Sequence, residues 1–239
     1  MVLQTISVST TERIEDVIAA VIIWTISLPG ILVNILAAIA LLRHAQFQNS
    51  FGLLAALHSI ADAGVLSCNA FWAAPLTVVS DRSGMTTVGA KIGQFSLFCQ
   101  TISFHALLFI SLNRLCAITS INRYNHIFSI KNTRYIIAWI ILTTSLYSLV
   151  YFIPTCNSYY HTSKLYWAFD SSPCGSTISF YVDFIGTISL FGIIIVTDLI
   201  TLSFLHKANR NLLKFHNKAD SDKSAWSQRK KKEMVFFLQ

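Results

Sequence analysis

The sequence predicts an all-α fold, a polytopic transmembrane helix bundle. Three observations predict it. Five apolar runs reach the length of about 20 residues that a helix needs to cross a hydrocarbon core of about 30 Å. Charge is scarce: 12% of the 239 residues are charged and 54% hydrophobic, with a mean hydropathy of +0.56, whereas soluble domains are about a quarter charged. The charges that exist gather in short stretches between the apolar runs.

The runs cover residues 17–42, 51–79, 92–118, 135–154 and 178–205. Each is apolar around most of its circumference, unlike a surface helix of a soluble bundle. Segments of about ten alternating residues, the mark of a membrane β-barrel, are absent. The first run follows MVLQTISVSTTERIEDV, which has no positive segment ahead of an apolar core. It is too long for a cleaved leader, so the first span itself targets the chain to the membrane. This run carries Asn34, and the second carries Asp62 within LHSIAD. The third ends in SLNRLCAI with Asn113 and Arg114, and the fourth carries Trp139. The fifth places Asp183 one to two turns in, and Asp198 fifteen residues later, about 22 Å along the axis. A basic polar stretch, 206–233, follows. Residues 234–239, MVFFLQ, begin a sixth run too short to cross. The expectation is a single membrane domain, 1–239, with five full spans and the start of a sixth. No internal repeat of the kind that builds duplicated transporters is present.

The net charge is +7, but a nucleic-acid binder needs its basic residues on one face of a soluble fold. Here they sit between apolar runs. With spans alternating in direction, fourteen Lys and Arg fall on one side, including Arg43, Arg114, Arg123, Lys131 and Arg134. Four fall on the other: Arg13, Arg82, Lys91 and Lys164. The richer side is cytoplasmic by the positive-inside rule, which puts the N-terminus outside.

Polar groups inside a membrane are costly and mark function or helix packing. Asn34 in span one, Asp62 in span two, Arg114 at the inner end of span three and Trp139 in span four together resemble the rhodopsin-like receptor pattern. The run Asn113-Arg114-Leu115-Cys116-Ala117-Ile118 is similar to that family's DRY-x-A-I segment, and Tyr124 fits its second intracellular loop. The resemblance implies a seven-helix receptor, of which this chain lacks most of helix 6 and all of helix 7. It departs from the pattern in three places. Asn113 replaces an acidic residue and cannot neutralise Arg114 by charge, Ile121 stands where many members have Pro, and span five has no mid-helix Pro.

Cys99 lies fifteen residues before Arg114, about 22 Å along a helix. That is inside the membrane, and the family's usual position for a tethering cysteine falls near Gly89. Cys156 and Cys174 flank the outer loop TCNSYYHTSKLYWAFDSSPCG. They face an oxidising compartment, where disulfides persist, and are expected to pair. Cys68, Cys99 and Cys116 are expected to be free.

The Cys-to-Cys loop, the NRLCAI segment and the KKKE-x-x-FF-x-Q entry to span six resemble the nematode serpentine receptor class X chemoreceptor family. This implies a chemosensory G-protein-coupled receptor in the plasma membrane, with a sensory cilium as one setting, that binds a small-molecule ligand and a heterotrimeric G protein. The residues expected to couple are Asn113, Arg114, Leu115 and Tyr124. Asn34 and Asp62 are expected to form a polar centre, with sodium at Asp62 as the one candidate metal. His105, Tyr181 and Asp183 are expected to line the ligand pocket, and Asp198 to reach Arg114. The cluster Arg229, Lys230, Lys231 and Lys232 is expected to anchor on anionic membrane lipid or touch the G protein. No cofactor is implied. Phosphate-binding, metal and hydrolase motifs are absent, so the chain reads as a non-enzyme. Two alternatives stay open: a truncated, non-signalling product or incomplete gene model, and a channel or transporter.

Overall fold

The computed structural model describes residues 10–79, 87–153, 155–162 and 164–218. The expected start of a sixth run and the basic cluster at 229–232 lie outside these residues. Among the described residues, five helices are long and apolar enough to cross a membrane: Arg13–Arg43, Ser50–Val79, Thr87–Thr119, Ile130–Phe152 and Pro173–Arg210. These are spans one to five, and the all-α bundle expected from hydropathy is the fold observed. Each helix is longer than the apolar stretch that marks it, though the fourth stops two residues short of that stretch's end. In lipid every backbone group must be paired internally, so a helix that serves a span keeps winding until its ends reach water.

Side-chain caps set several starts. Asn49 accepts from the Gly52 backbone N–H at 2.9 Å to open span two. Ser129 accepts from Asn132 at 3.2 Å to open span four. Ser172 accepts from Gly175 at 3.0 Å to open span five, with Pro173 in the first turn, where its missing N–H costs nothing. Among the described residues three spans depart from α geometry, span four by ending in a 3-10 turn over Leu149–Phe152. Span two winds as a π-helix over Asn69–Ala73 and span five over Ile178–Gly186. Such wide turns are rare and concentrate at functional sites. Ala70, inside the first of them, accepts the Trp24 indole N–H from span one at 2.8 Å.

Span two lies between spans one and three, span four packs on spans two and three, and span five on span three. The buried faces carry small residues: Ala56, Ser59, Ala61 and Ala63 on span two, and Ser96, Cys99, Ser103 and Ala106 on span three. Lipid tails are as apolar as leucine, so helices associate through close packing, which small residues permit. A Cβ on Gly64 would sit 2.6 Å from Cys99 Sγ, which shows how close the two helices run. Buried apolar residues cluster in three layers: Leu54, Ile110 and Phe128 near Arg114; Ala61, Ile102 and Ile140 at mid-depth; and Tyr151, Cys156 and Ile178 at the far end.

The link between spans four and five contains a β-hairpin absent from the sequence expectation. Strand β1, Ser158–His161, pairs antiparallel with β2, Tyr166–Phe169, placing Ser158 opposite Phe169. The expected Cys156–Cys174 disulfide closes its base, with Cα atoms 5.2 Å apart. Tyr160 and Trp167 face each other across the strands, edge to face, at 5.5 Å between centroids. Spans three and four are joined through a short helix, Ile121–Ile127.

Candidate functional site

Span three lines a cavity at each end. The hairpin-side cavity holds about 380 Å³. Span two contributes Asp62, Val65, Leu66 and Asn69 to its wall. Span three contributes Gly93, Ser96, Leu97, Gln100, Ser103 and Phe104, and the hairpin closes over it with Ser158 and Trp167. Hydrogen bonds hold that roof in place. The Trp167 indole donates to Asn69 Oδ1 at 2.9 Å. Thr77 donates its hydroxyl to Ala73 O at 2.9 Å and so accepts from Tyr160, 3.0 Å away. Burial pushes the Tyr160 phenol above its ordinary range, partly offset by its bond to Thr77. The phenol therefore stays a neutral donor. Gln94 Nε2 donates to the Tyr151 carbonyl and to Asn157 Oδ1, while its Oε1 accepts from Lys91 at 3.0 Å.

The cavity floor is polar. Ser103 Oγ donates to Asp62 Oδ1 at 2.5 Å and lies 2.9 Å from His58 Nδ1. His58 Nε2 stands 3.5 Å from the other Asp62 oxygen. Sequence reasoning placed Asp62 in a polar centre but paired it with Asn34. Asn34 Nδ2 instead donates to Gly30 O, one turn back on its own helix, at 2.9 Å. The partners it missed were signalled by position: His58 lies four residues before Asp62, on the same helix face.

The expected pocket residues lie elsewhere. His105 donates Nδ1–H to Thr101 O of its own helix at 2.8 Å. Tyr181 is 62% exposed on the outer surface of span five, and Asp183 is exposed beside it. None of the three lines either cavity. Asp183 lies instead within electrostatic reach of Tyr147 and Tyr151, whose hydroxyls are bonded at 2.8 Å.

The Arg114-side cavity holds about 570 Å³. Phe51, Asn113, Arg114, Tyr124 and Asp198 are among its lining residues. Arg114 is exposed, its guanidinium 5.3 Å from the centroid of the Phe51 ring, a cation–π geometry. It is held there rather than paired with Asp198, which lines the same cavity. Leu115 is half-buried and does not line it. Asn113 is buried, with 3% exposed. Its Nδ2 donates to Ser50 Oγ at 3.3 Å, and its Oδ1 accepts from the Tyr124 hydroxyl at 3.5 Å. Ser50 passes its own proton to Phe128 O at 2.8 Å. Asparagine suits this position because the bridge needs a donor and an acceptor on one side chain, and a carboxylate has no donor. Asn113→Leu removes both bonds that Asn113 makes, to Ser50 and from Tyr124, and is expected to cost about 1–3 kcal/mol, read as a lower thermal midpoint in detergent. An unchanged midpoint would show that the bridge carries no stability.

Residues 24–239 match the family described as serpentine type 7TM GPCR chemoreceptor Srx. Among curated proteins, the chain is 28% identical over 196 residues to Serpentine receptor class X 45 of Caenorhabditis elegans, covering 82% of this chain and 54% of that protein. It is 25% identical over 201 residues to Serpentine receptor class X-43 of the same organism, covering 81% of this chain and 62% of that one. The matched region thus spans little more than half the length of these relatives.

Proposed function

The chain belongs to the serpentine type 7TM chemoreceptor family Srx, an integral multi-pass membrane receptor family, and from that premise we propose a chemosensory receptor that senses outside and signals inside. A small molecule enters the cavity beneath the disulfide-closed hairpin, on the extracellular side. A heterotrimeric G protein engages the opposite end around Arg114, at the cytoplasmic face of the plasma membrane. The observation that carries this reading is that one helix, span three, lines both cavities. Ligand contact at Gln100, Ser103 or Phe104 bears on the same rod that presents Asn113 and Arg114. The mechanism is a population shift: ligand stabilises whichever arrangement of span three it binds better. Arg114 is the coupling cation, Tyr124 and Asn113 hold the short helix against it, and Phe51 parks it when no partner is engaged.

The channel or transporter reading requires ionisable residues along a shared path. Asp62 lies in one cavity, Asp198 in the other and Asp183 in neither, which favours the receptor.

The test joins a binding screen to a coupling assay. Small polar compounds are screened by thermal shift on the purified protein, and hits are assayed for GTPγS loading of a reconstituted heterotrimer. With Arg114→Ala, ligand binding is expected to persist while nucleotide exchange falls about tenfold, the loss of one charged contact. Equal exchange by both proteins would remove Arg114 from the coupling role.

A further inference from the structure

Among the described residues Asp62 is the one carboxylate lining the hairpin-side cavity, so what faces it decides what the cavity accepts. The hydrogen bonds answer this. Ser103 has a single hydroxyl proton, and it goes to Asp62 Oδ1 at 2.5 Å, within the range of a charge-assisted bond. Ser103 Oγ can then only accept from His58 Nδ1, 2.9 Å away, so that ring nitrogen carries a proton. The second ring nitrogen faces Asp62 Oδ2 at 3.5 Å. With Nδ1 turned to Ser103, Nε2 is the ring nitrogen directed at the carboxylate, four residues away on the same helix face, in the geometry of an ion pair.

We propose that His58 is the built-in counter-ion of Asp62, and that the cavity therefore takes a small, uncharged, hydrogen-bonding ligand in preference to an amine or a metal cation. The proposal rests on the receptor reading, because it assigns the ligand class for that same cavity. Both carboxylate oxygens are engaged, so an incoming cation has to displace an imidazole anchored one helical turn away and braced by Ser103. Lys91, near the hairpin, is committed to Gln94 and to the face of Phe152. The walls are apolar at Val65, Leu66, Leu97 and Phe104, and they favour a ligand whose polar part is small. Gln100 and Ser96 supply donors and acceptors to match it. Sodium at Asp62, an expectation from the sequence, meets a position already filled from within.

The experiment measures the thermal midpoint of the purified chain in detergent at fixed ionic strength, in sodium chloride and in choline chloride. Wild type is expected to melt alike in both salts. In His58→Leu the carboxylate keeps its Ser103 bond but loses its cationic partner, and sodium is expected to raise the midpoint by about 2–4 °C. The rise should vanish in His58→Leu/Asp62→Asn. His58→Gln, which keeps a donor for Ser103 without charge, serves if the leucine variant fails to fold. Butan-1-ol and butylammonium then probe ligand class: wild type should be shifted more by the alcohol, and the His58 variant more by the amine. A wild-type midpoint as sodium-sensitive as the variant's, or a variant indifferent to sodium, overturns the proposal. None of these readouts needs a G protein, so failure of coupling and failure of this assignment are separable.

Discussion

Cys156→Ser is expected to lower the thermal midpoint by about 5–10 °C and to release the hairpin from the bundle. Cys156 is fully buried between Tyr151 and Ile178, and its bond to Cys174 spans a sequence separation of 18. By the chain-entropy model, closing a loop of that size stabilises the fold by about 3 kcal/mol. The loss also propagates, because the roof bonds from Trp167 to Asn69 and from Tyr160 to Thr77 assume a hairpin whose base is fixed. Cys174→Ser and the double variant should melt with the single, since all three remove the same bond. A double variant that melts a further 5–10 °C below either single would mean that the two positions stabilise independently and that the tether is not the cause. Applied from outside to intact cells, an impermeant maleimide should label Cys156→Ser at Cys174 more than it labels wild type, whose free cysteines Cys68 and Cys99 are buried and Cys116 half-buried.

Gly93→Val is expected to have a comparable effect by a different route. Strand β1 lies directly on span three at this point, and a Cβ on Gly93 would overlap the Ser158 carbonyl oxygen. The obstruction is backbone against backbone, so no rotamer relieves it. Either the hairpin lifts or span three shifts. Overpacking of this kind typically costs about 1–3 kcal/mol. Because Gly93 and Ser158 both line the hairpin-side cavity, ligand-induced thermal shift should disappear even where the variant folds. Retention of that shift at wild-type affinity would place the ligand elsewhere.

The spans were legible because lipid imposes a crude demand, about 20 apolar residues with paired backbone, that composition alone reveals. The disulfide was legible because Cys156 and Cys174 bracket one loop. The hairpin was harder to see. Its strands, SYYH and YWAF, are rich in aromatic β-formers, but four residues each is too short for alternation to stand out beside long apolar helices. Within the spans, residue counting measures depth at about 1.5 Å per residue and says little about which way a side chain faces. Asp62 proved to face a cavity. His105 and Asn34, at plausible depths, turn back onto their own helices. In span five, Tyr181 and Asp183 were placed by depth alone, and they fall inside the π-helical stretch Ile178–Gly186, where the winding departs from 3.6 residues per turn.

That stretch has a longer-range consequence. A turn that closes on the fifth residue rather than the fourth holds one residue more than the α turn it replaces. Span five thus carries slack in its winding. A residue gained or lost between Ile178 and Gly186 can be absorbed by opening or tightening a wide turn, without rotating Asp198 or its neighbours about the axis. The two ends of this helix are geared separately, so the hairpin end can drift in register through insertion and deletion while the Arg114 end stays in step with its partner.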